Sequence, residues 1–358
     1  MSRFLLLDIG AGTMDVLYYD RTADLHYKAV VRSPVRTVAE KIDNLPGNLV
    51  VTGGEMGGGP VTDALRERAR QATVVMSASA AATLHHNPDV VRSWNITIVS
   101  DTQAQELQLQ PGYSSLVTAD IDPARIEQIV DGFGVAFEFD AIGVCAQDHG
   151  VPPEGMSHID YRHRLFQDKL DNTPYPHAVL FSGEQVPATM NRLTTLARSA
   201  ERLPTREVFV MDSGMAAILG ASLDMRASRC ERLLVLDIAT SHTVGAALEK
   251  GEIFGFFEYH TRDITCRRLE SLLRELADGK LTHKQILAEG GHGAYIRNAF
   301  GFHSAEAIIA TGPQRRLLKD ASLPISFGAP FGDNMMTGTV GLLEAVRQQK
   351  QAAPISYL

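Results

Sequence analysis

The sequence predicts an α/β protein made of two similar halves, each a mixed sheet flanked by helices, with a cleft between them. Three observations predict it. The chain opens with three consecutive strand-like runs, at 4–9, 14–19 and 26–31, separated by turn residues at 10–12 and 20–24. From Pro34 the pattern changes to alternating helix and strand, which implies parallel additions to the sheet. At residue 233 the opening recurs, with extended runs at 233–238, 243–248 and 253–259 followed by a helix at 263–277. A second meander whose first strand again ends in Asp-Ile marks a duplicated unit. A chain of 358 residues is also long for one core and suits two domains.

The elements follow in order. A helix is expected near 35–44, an extended run at 48–52, a helix at 61–71 and an extended run at 73–76. Further strands are expected at 96–99, 140–145 and 207–211, with helices at 123–131, 187–201 and 214–223. The first half is expected to span 1–225 with an inserted subdomain near 78–205. The second spans 226–358, with a C-terminal helix at 335–348 crossing back at the hinge. Residues 147–160 read as a long polar loop of the kind that often carries function.

Composition removes several classes. Hydrophobic residues at 44% and charged residues at 21% exclude disordered and fibrous chains. A net charge of −8 without a block of Lys or Arg disfavours nucleic acid and anionic membrane as partners. The apolar run at 4–7 is too short for a signal peptide and no stretch approaches a membrane span, so a cytoplasmic location is expected. Cys145, Cys230 and Cys266 are widely separated, which offers neither a disulfide framework nor a cysteine cluster motif. Reduced thiols are the expectation.

Asp8-Ile9-Gly10-Ala11-Gly12-Thr13-Met14-Asp15 joins a strand to a strand through a glycine turn. Gly10 and Gly12 let backbone N–H groups approach an anion, and the Thr13 hydroxyl can donate to the same phosphate. Asp8 could hold Mg²⁺ through water. An ordinary hairpin turn with a satisfied aspartate is the competing reading. Asp237-Ile238-Ala239-Thr240-Ser241-His242-Thr243 ends the matching strand of the second meander, so two Asp-bearing turns should face each other across the cleft.

These two turns resemble the first and second phosphate motifs of the superfamily of actin, the acetate and sugar kinases and the heat-shock-chaperone ATPases. Val210 to Gly220 and Asp333 to Gly341 resemble its two connecting helices, in which small residues let the helices cross closely. Ile308 to Arg315, with Gly312, resembles its adenosine-binding segment. Ala239 and His242 depart from the pattern, standing where glycine and a small or hydroxyl residue are usual.

The resemblance implies a duplicated ribonuclease H-like fold, the cofactors ATP and Mg²⁺, and nucleotide contacts from Asp8, Gly10, Gly12, Thr13, Asp237, Thr240, Ser241, Thr243 and Gly312. Asp8 and Asp237 would anchor magnesium through water. It also implies a general base at Asp212, for which an N-cap on the following helix is an equal alternative. Asp15 follows the superfamily's spacing, as a catalytic carboxylate or as a plain strand residue. The chain is similar to a branch near the hydantoinase A and dehydratase-activase ATPases, labelled as related to pyruvate formate-lyase activating enzyme. That label implies radical chemistry on three closely spaced cysteines, a triplet this sequence lacks.

Four histidines sit in turn or glycine-rich settings: His149, His242, His260 and His292. Strand ends and glycine loops gather at the ligand cleft of an α/β protein, so these rings could converge there and hold a transition metal. Four unrelated loop histidines is the alternative in a chain with twelve. The run Gly53-Gly54-Glu55-Met56-Gly57-Gly58-Gly59-Pro60 could form an anion nest or a substrate-side loop.

Three functions compete. The first is an ATP-dependent enzyme, either a small-molecule kinase or an ATPase that activates a small-molecule substrate or a partner enzyme. The second is a nucleotide sensor or scaffold without turnover. The third is a metal-dependent hydrolase using the histidines.

Overall fold

The computed structural model describes residues 2–357. Sixteen strands follow one another: β1 (Arg3–Ile9), β2 (Thr13–Asp20), β3 (Leu25–Arg32), β4 (Asn48–Gly53), β5 (Val74–Ser77), β6 (Ile96–Val99), β7 (Tyr113–Thr118), β8 (Phe139–Ala146), β9 (Leu180–Ser182), β10 (Thr205–Asp212), β11 (Arg232–Ile238), β12 (His242–Glu249), β13 (Glu252–His260), β14 (Gly293–Ile296), β15 (Ala307–Thr311) and β16 (Ile325–Phe327).

They form three sheets, ordered β3-β2-β1-β8-β10-β9, β14-β13-β12-β11-β15-β16 and β6-β5-β4-β7. The first two sheets are built alike. Each starts with an antiparallel meander, and a later strand then joins the first strand in parallel, β8 on β1 and β15 on β11. The fold is therefore a duplicated mixed-sheet architecture, the plan that the resemblance to the actin-like ATPases implies. The first strands carry near-continuous apolar runs, Phe4–Leu7 and Leu233–Leu236, because both of their faces are covered by protein.

The third sheet is all parallel and occupies 48–118, ahead of most of the range 78–205 where the sequence places the insertion. Its own core, around Leu49, Val51 and Met76, is separate from the main one. β7 escapes the sequence reading because Tyr113-Ser-Ser-Leu-Val-Thr118 is a short, mostly polar edge strand. The expected loop at 147–160 ends early, since residues from His158 form a helix, His158–Asn172. Ser157 starts that helix by accepting a hydrogen bond from the Asp160 N–H.

The helices Ser213–Ser222 and Thr337–Gln349 cross at glycines. A Cβ on Gly220 would lie 1.8 Å from the Thr337 carbonyl oxygen, and one on Gly341 the same distance from that of Ala216. Only glycine permits this approach. No helix is long and apolar enough to cross a membrane among the described residues.

Candidate active site

β1 and β11 end in the same way, and their turns are hydrogen-bonded in the same way. Gly10 N–H donates to the Thr13 carbonyl at 3.0 Å, as Ala239 N–H does to that of His242. Ser33 N–H donates to the Gly12 carbonyl at 3.1 Å, as Thr261 N–H does to that of Ser241 at 2.9 Å. The hydroxyls of Ser33 and Thr261 close the pattern on the carbonyls of Gly10 and Ala239. Residue by residue, Asp8 corresponds to Asp237, Thr13 to His242, and Asp15 to Val244.

Both turns face one cavity of about 710 Å³. They nearly touch, since a Cβ on Gly12 would stand 2.9 Å from Thr240 Oγ1. Of the residues expected at a nucleotide, Asp8, Gly10, Gly12, Thr13, Asp237, Thr240, Ser241 and Gly312 all line this cavity. Gly312 needs to be glycine: its φ is +87°, and a Cβ would lie 2.5 Å from the Ile238 carbonyl oxygen. Thr243 is the exception. Its alternation on β12 turns it inward, where it is fully buried and its hydroxyl meets that of Thr261 at 3.0 Å.

Three carboxyls face one another without a salt-bridge partner among the described residues, and Arg192 only weakly offsets the charge of Asp8. Burial pushes Asp8 up to about 7, with Asp237 and Asp212 adding to the rise. Burial and the charge of Asp8, its cross-strand neighbour, push Asp15 up to about 8. Burial lifts Asp237 to about 6, although Thr311 Oγ1 donates to its Oδ1 at 2.9 Å. Asp15 Oδ1 is buried with no partner at all. Carboxyls that are costly to ionise together, one with an orphaned oxygen, suit a hard divalent cation such as Mg²⁺ held partly through water, since the oxygens of all three do not lie within 4.8 Å of one another. Asp8 is fixed from behind by the second hinge helix, because a Cβ on Gly338 would lie 1.9 Å from its Oδ2.

Asp212 is not available as a base. Its Oδ1 caps the first hinge helix, accepting from Gly214 and Met215 N–H at 2.9 and 3.2 Å, and its Oδ2 accepts from Arg162 at 2.8 Å. Buried and with both oxygens engaged, it does not line the cavity. The N-cap alternative describes it.

Arg162 was not among the expected site residues. It enters the cavity wall from the helix His158–Asn172 and joins Asp212, on the first sheet, to Glu258, on the second. Although burial opposes its charge, Arg162, aided by His292, holds Glu258 well below the usual carboxylate range. Gln147 also donates to Glu258. Arg192, on the helix Asn191–Ala200, is a second missed cation, paired through Nε with Asp120 at 2.8 Å. Charged residues on amphipathic helices read as solvated faces, which hid both. The spacing of Ser157 and Asp160 was a helix-start signal that would have shown the helix carrying Arg162, though not its buried partners.

The glycine run after β4 also reaches the cavity, through residues 55–60. It is held in place, with Met56 N–H donating to Thr83 Oγ1 at 3.1 Å and Gly57 N–H to Asp120 Oδ1 at 3.3 Å. Glu55 on this run meets His86 Nε2 at 2.8 Å.

The histidines do meet. His149, His242 and His260 line the cavity with Asp8, and His292 lies behind them, with ring centroids 4.7 Å from His242, 4.5 Å from His260 and 5.6 Å from His149. Burial lowers His242 to about 4 and His149 to about 3, so these rings are neutral. Among the described residues this is the one place where ligand atoms from three His, Cys, Asp or Glu side chains all lie within 4.8 Å of one another, and none of them is a cysteine.

A family model described as "Putative pyruvate format-lyase activating enzyme (DUF1786)" matches residues 56–317. The chain belongs to that family. No curated protein matches it. Among solved structures, this family member is similar to the ROK hexokinase of Thermus thermophilus, at 13% identity over 98% of this chain and 100% of that one, with a TM-score of 0.33. It is similar to the activator of 2-hydroxyisocaproyl-CoA dehydratase from Clostridium difficile with bound ADPNP, at 10% identity over 99% of each chain and a TM-score of 0.36. A Bacteroides thetaiotaomicron protein with an actin-like ATPase fold matches at 8% identity over 97% and 96% of the two chains, also with a TM-score of 0.36. Such low scores carry nothing about chemistry, which rests here on the site itself.

Proposed function

We propose that this family member is a magnesium-dependent ATP-binding enzyme, which hydrolyses ATP to act on a small-molecule substrate or a partner enzyme. The observation that carries this reading is the pair of equivalent turns, Asp8–Asp15 and Asp237–Val244, opposed across one cavity with three raised carboxyls between them. Backbone N–H groups at Ala11 and Gly12 and the hydroxyls of Thr13, Thr240 and Ser241 would meet the phosphates, while the Gly10 N–H closes the turn on the Thr13 carbonyl. Asp8 and Asp237 would hold Mg²⁺, which neutralises phosphate charge and favours the ionised carboxylates. Gly312, packed against the backbone of the second turn, would lie beside the nucleoside.

With Asp212 spent on its cap and on Arg162, the base falls to Asp15, whose free oxygen can orient a water or a substrate hydroxyl. A radical activity finds no support in Cys145, Cys230 and Cys266, which are free and lie apart on β8, before β11 and after β13. Free thiols suit a reducing compartment such as the cytoplasm.

Calorimetry with ATP, with and without Mg²⁺, together with a phosphate-release assay, tests the reading. Binding that requires Mg²⁺ and turnover that falls ~100-fold or more in Asp15→Asn are expected, in line with the weight of a general base. Failure of the wild-type chain to bind ATP overturns it. Binding without turnover under any substrate would favour the sensor reading, which Ala239, in place of a phosphate-loop glycine, makes the principal rival.

A further inference from the structure

We propose that His242, His260 and His292 form a binding site for a divalent transition metal ion of the zinc class, with a coordination position open to the cavity. The backbone creates the cluster. His242 opens β12 and His260 closes β13, and the two are direct cross-strand partners. His292 is brought alongside when its N–H donates to the Glu258 carbonyl at 2.8 Å. One ring nitrogen from each of the three lies within 4.8 Å of the others.

The nitrogens that meet are those a metal would need: His242 Nε2 has no partner, and the Nε2 atoms of His260 and His292 share one hydrogen bond that an ion would replace. His292 Nδ1 stands 3.4 Å from Glu258 Oε1 without a hydrogen bond, and a small rotation of the ring would make the carboxylate–histidine pair that orients Nε2 toward an ion. That Nε2 lies 3.1 Å from His260 Nε2. Two ligands on tetrahedral zinc, each at ~2.0–2.1 Å, would stand about 3.3 Å apart, so the separation is nearly that of a formed site. His242 Nδ1 is occupied by the Ser241 hydroxyl at 2.9 Å, while its Nε2 is buried with no partner.

Three protein nitrogens with one side facing a cavity is the pattern of a catalytic rather than a structural zinc site. His242 and His260 provide that open side, because both line the cavity whereas His292 lies behind. Among the described residues nothing equivalent exists in the first half, where Thr13 and Arg32 hold the corresponding cross-strand positions. The site is independent of ATP binding, so either reading can fail alone.

The test uses the full chain without an affinity tag, stripped with chelator and free of nucleotide. Zn²⁺ is titrated against a chromophoric competitor, and Co²⁺ is followed by its visible spectrum. One equivalent of each is expected to bind, with a Co²⁺ spectrum characteristic of nitrogen ligands in low coordination number. His260→Ala and His292→Ala should each weaken Zn²⁺ by at least ~100-fold, the upper end of what outer-sphere partners alone control. His163→Ala, outside the cluster, should leave affinity unchanged. His260 is only half-buried, so its variant is expected to fold, and the wild-type Co²⁺ spectrum remains informative should His292→Ala not. A wild-type chain that binds neither ion, or binding that persists undiminished in His260→Ala, overturns the site.

Discussion

The two turns share a hydrogen-bonding scaffold and differ in nearly everything that projects from it. On the first, Asp8 and Asp15 are cross-strand neighbours and make the turn an acidic site. On the second, Val244 replaces the partner acid, Asp237 is already paired with Thr311, and His242 faces His260. The duplication has thus kept the backbone and divided the chemistry: oxygen donors on one side of the cavity and imidazole nitrogens on the other. Hard cations and phosphate suit the first set, while borderline metals suit the second. Arg162 ties the halves together, with one carboxylate partner on each sheet.

The comparison can be broken most severely at that tie. Arg162→Met should cost about 3–5 kcal/mol by leaving Asp212 and Glu258 buried and unpaired, read as a lower urea midpoint. If stability is unchanged, the halves are held by other contacts. Next in size, Asp8→Asn should weaken Mg-dependent ATP binding by ~100-fold and Asp237→Asn by only ~10-fold, or about 2.7 and 1.4 kcal/mol. Equal losses in calorimetry would show that the second turn carries as much of the cation as the first.

The hinge offers a symmetric test. Gly220→Ala and Gly341→Ala should each destabilise by about 1–3 kcal/mol, since the added methyl meets a carbonyl of the opposite helix in both. Thermal melts that separate the two variants widely would indicate that only one crossing glycine is needed. The smallest effect is expected where the turns touch. Gly12→Ala should cost about 1 kcal/mol or less, because the methyl meets only the Thr240 side chain, and Thr240→Ser should recover much of it. Without that recovery, the contact between the turns is not what limits residue 12.

Much of this arrangement was legible beforehand. The meander and its repeat were readable because strand patterning and turn glycines are local, and the two Asp-Ile strand ends followed from them. Arg162 and Glu258 were not legible, since a buried ion pair 96 positions apart leaves no mark on either local pattern. Asp212 was ambiguous for a related reason: an N-cap and a general base ask for the same residue at the same place, and only its neighbours choose between them.

The sequence by itself determined the two-half α/β plan, the opposed aspartates and the small residues at the hinge, because each is set by periodicity or by backbone geometry within one element. The tertiary structure alone decided which strands form the third sheet, which carboxylates are paired and which left free, and whether scattered histidines meet. His242, His260 and His292 lie on three separate segments, and sequence spacing carries no information about distance across a sheet. Only the register of β12 on β13 and the hydrogen bond from His292 to Glu258 bring their nitrogens within reach of one ion.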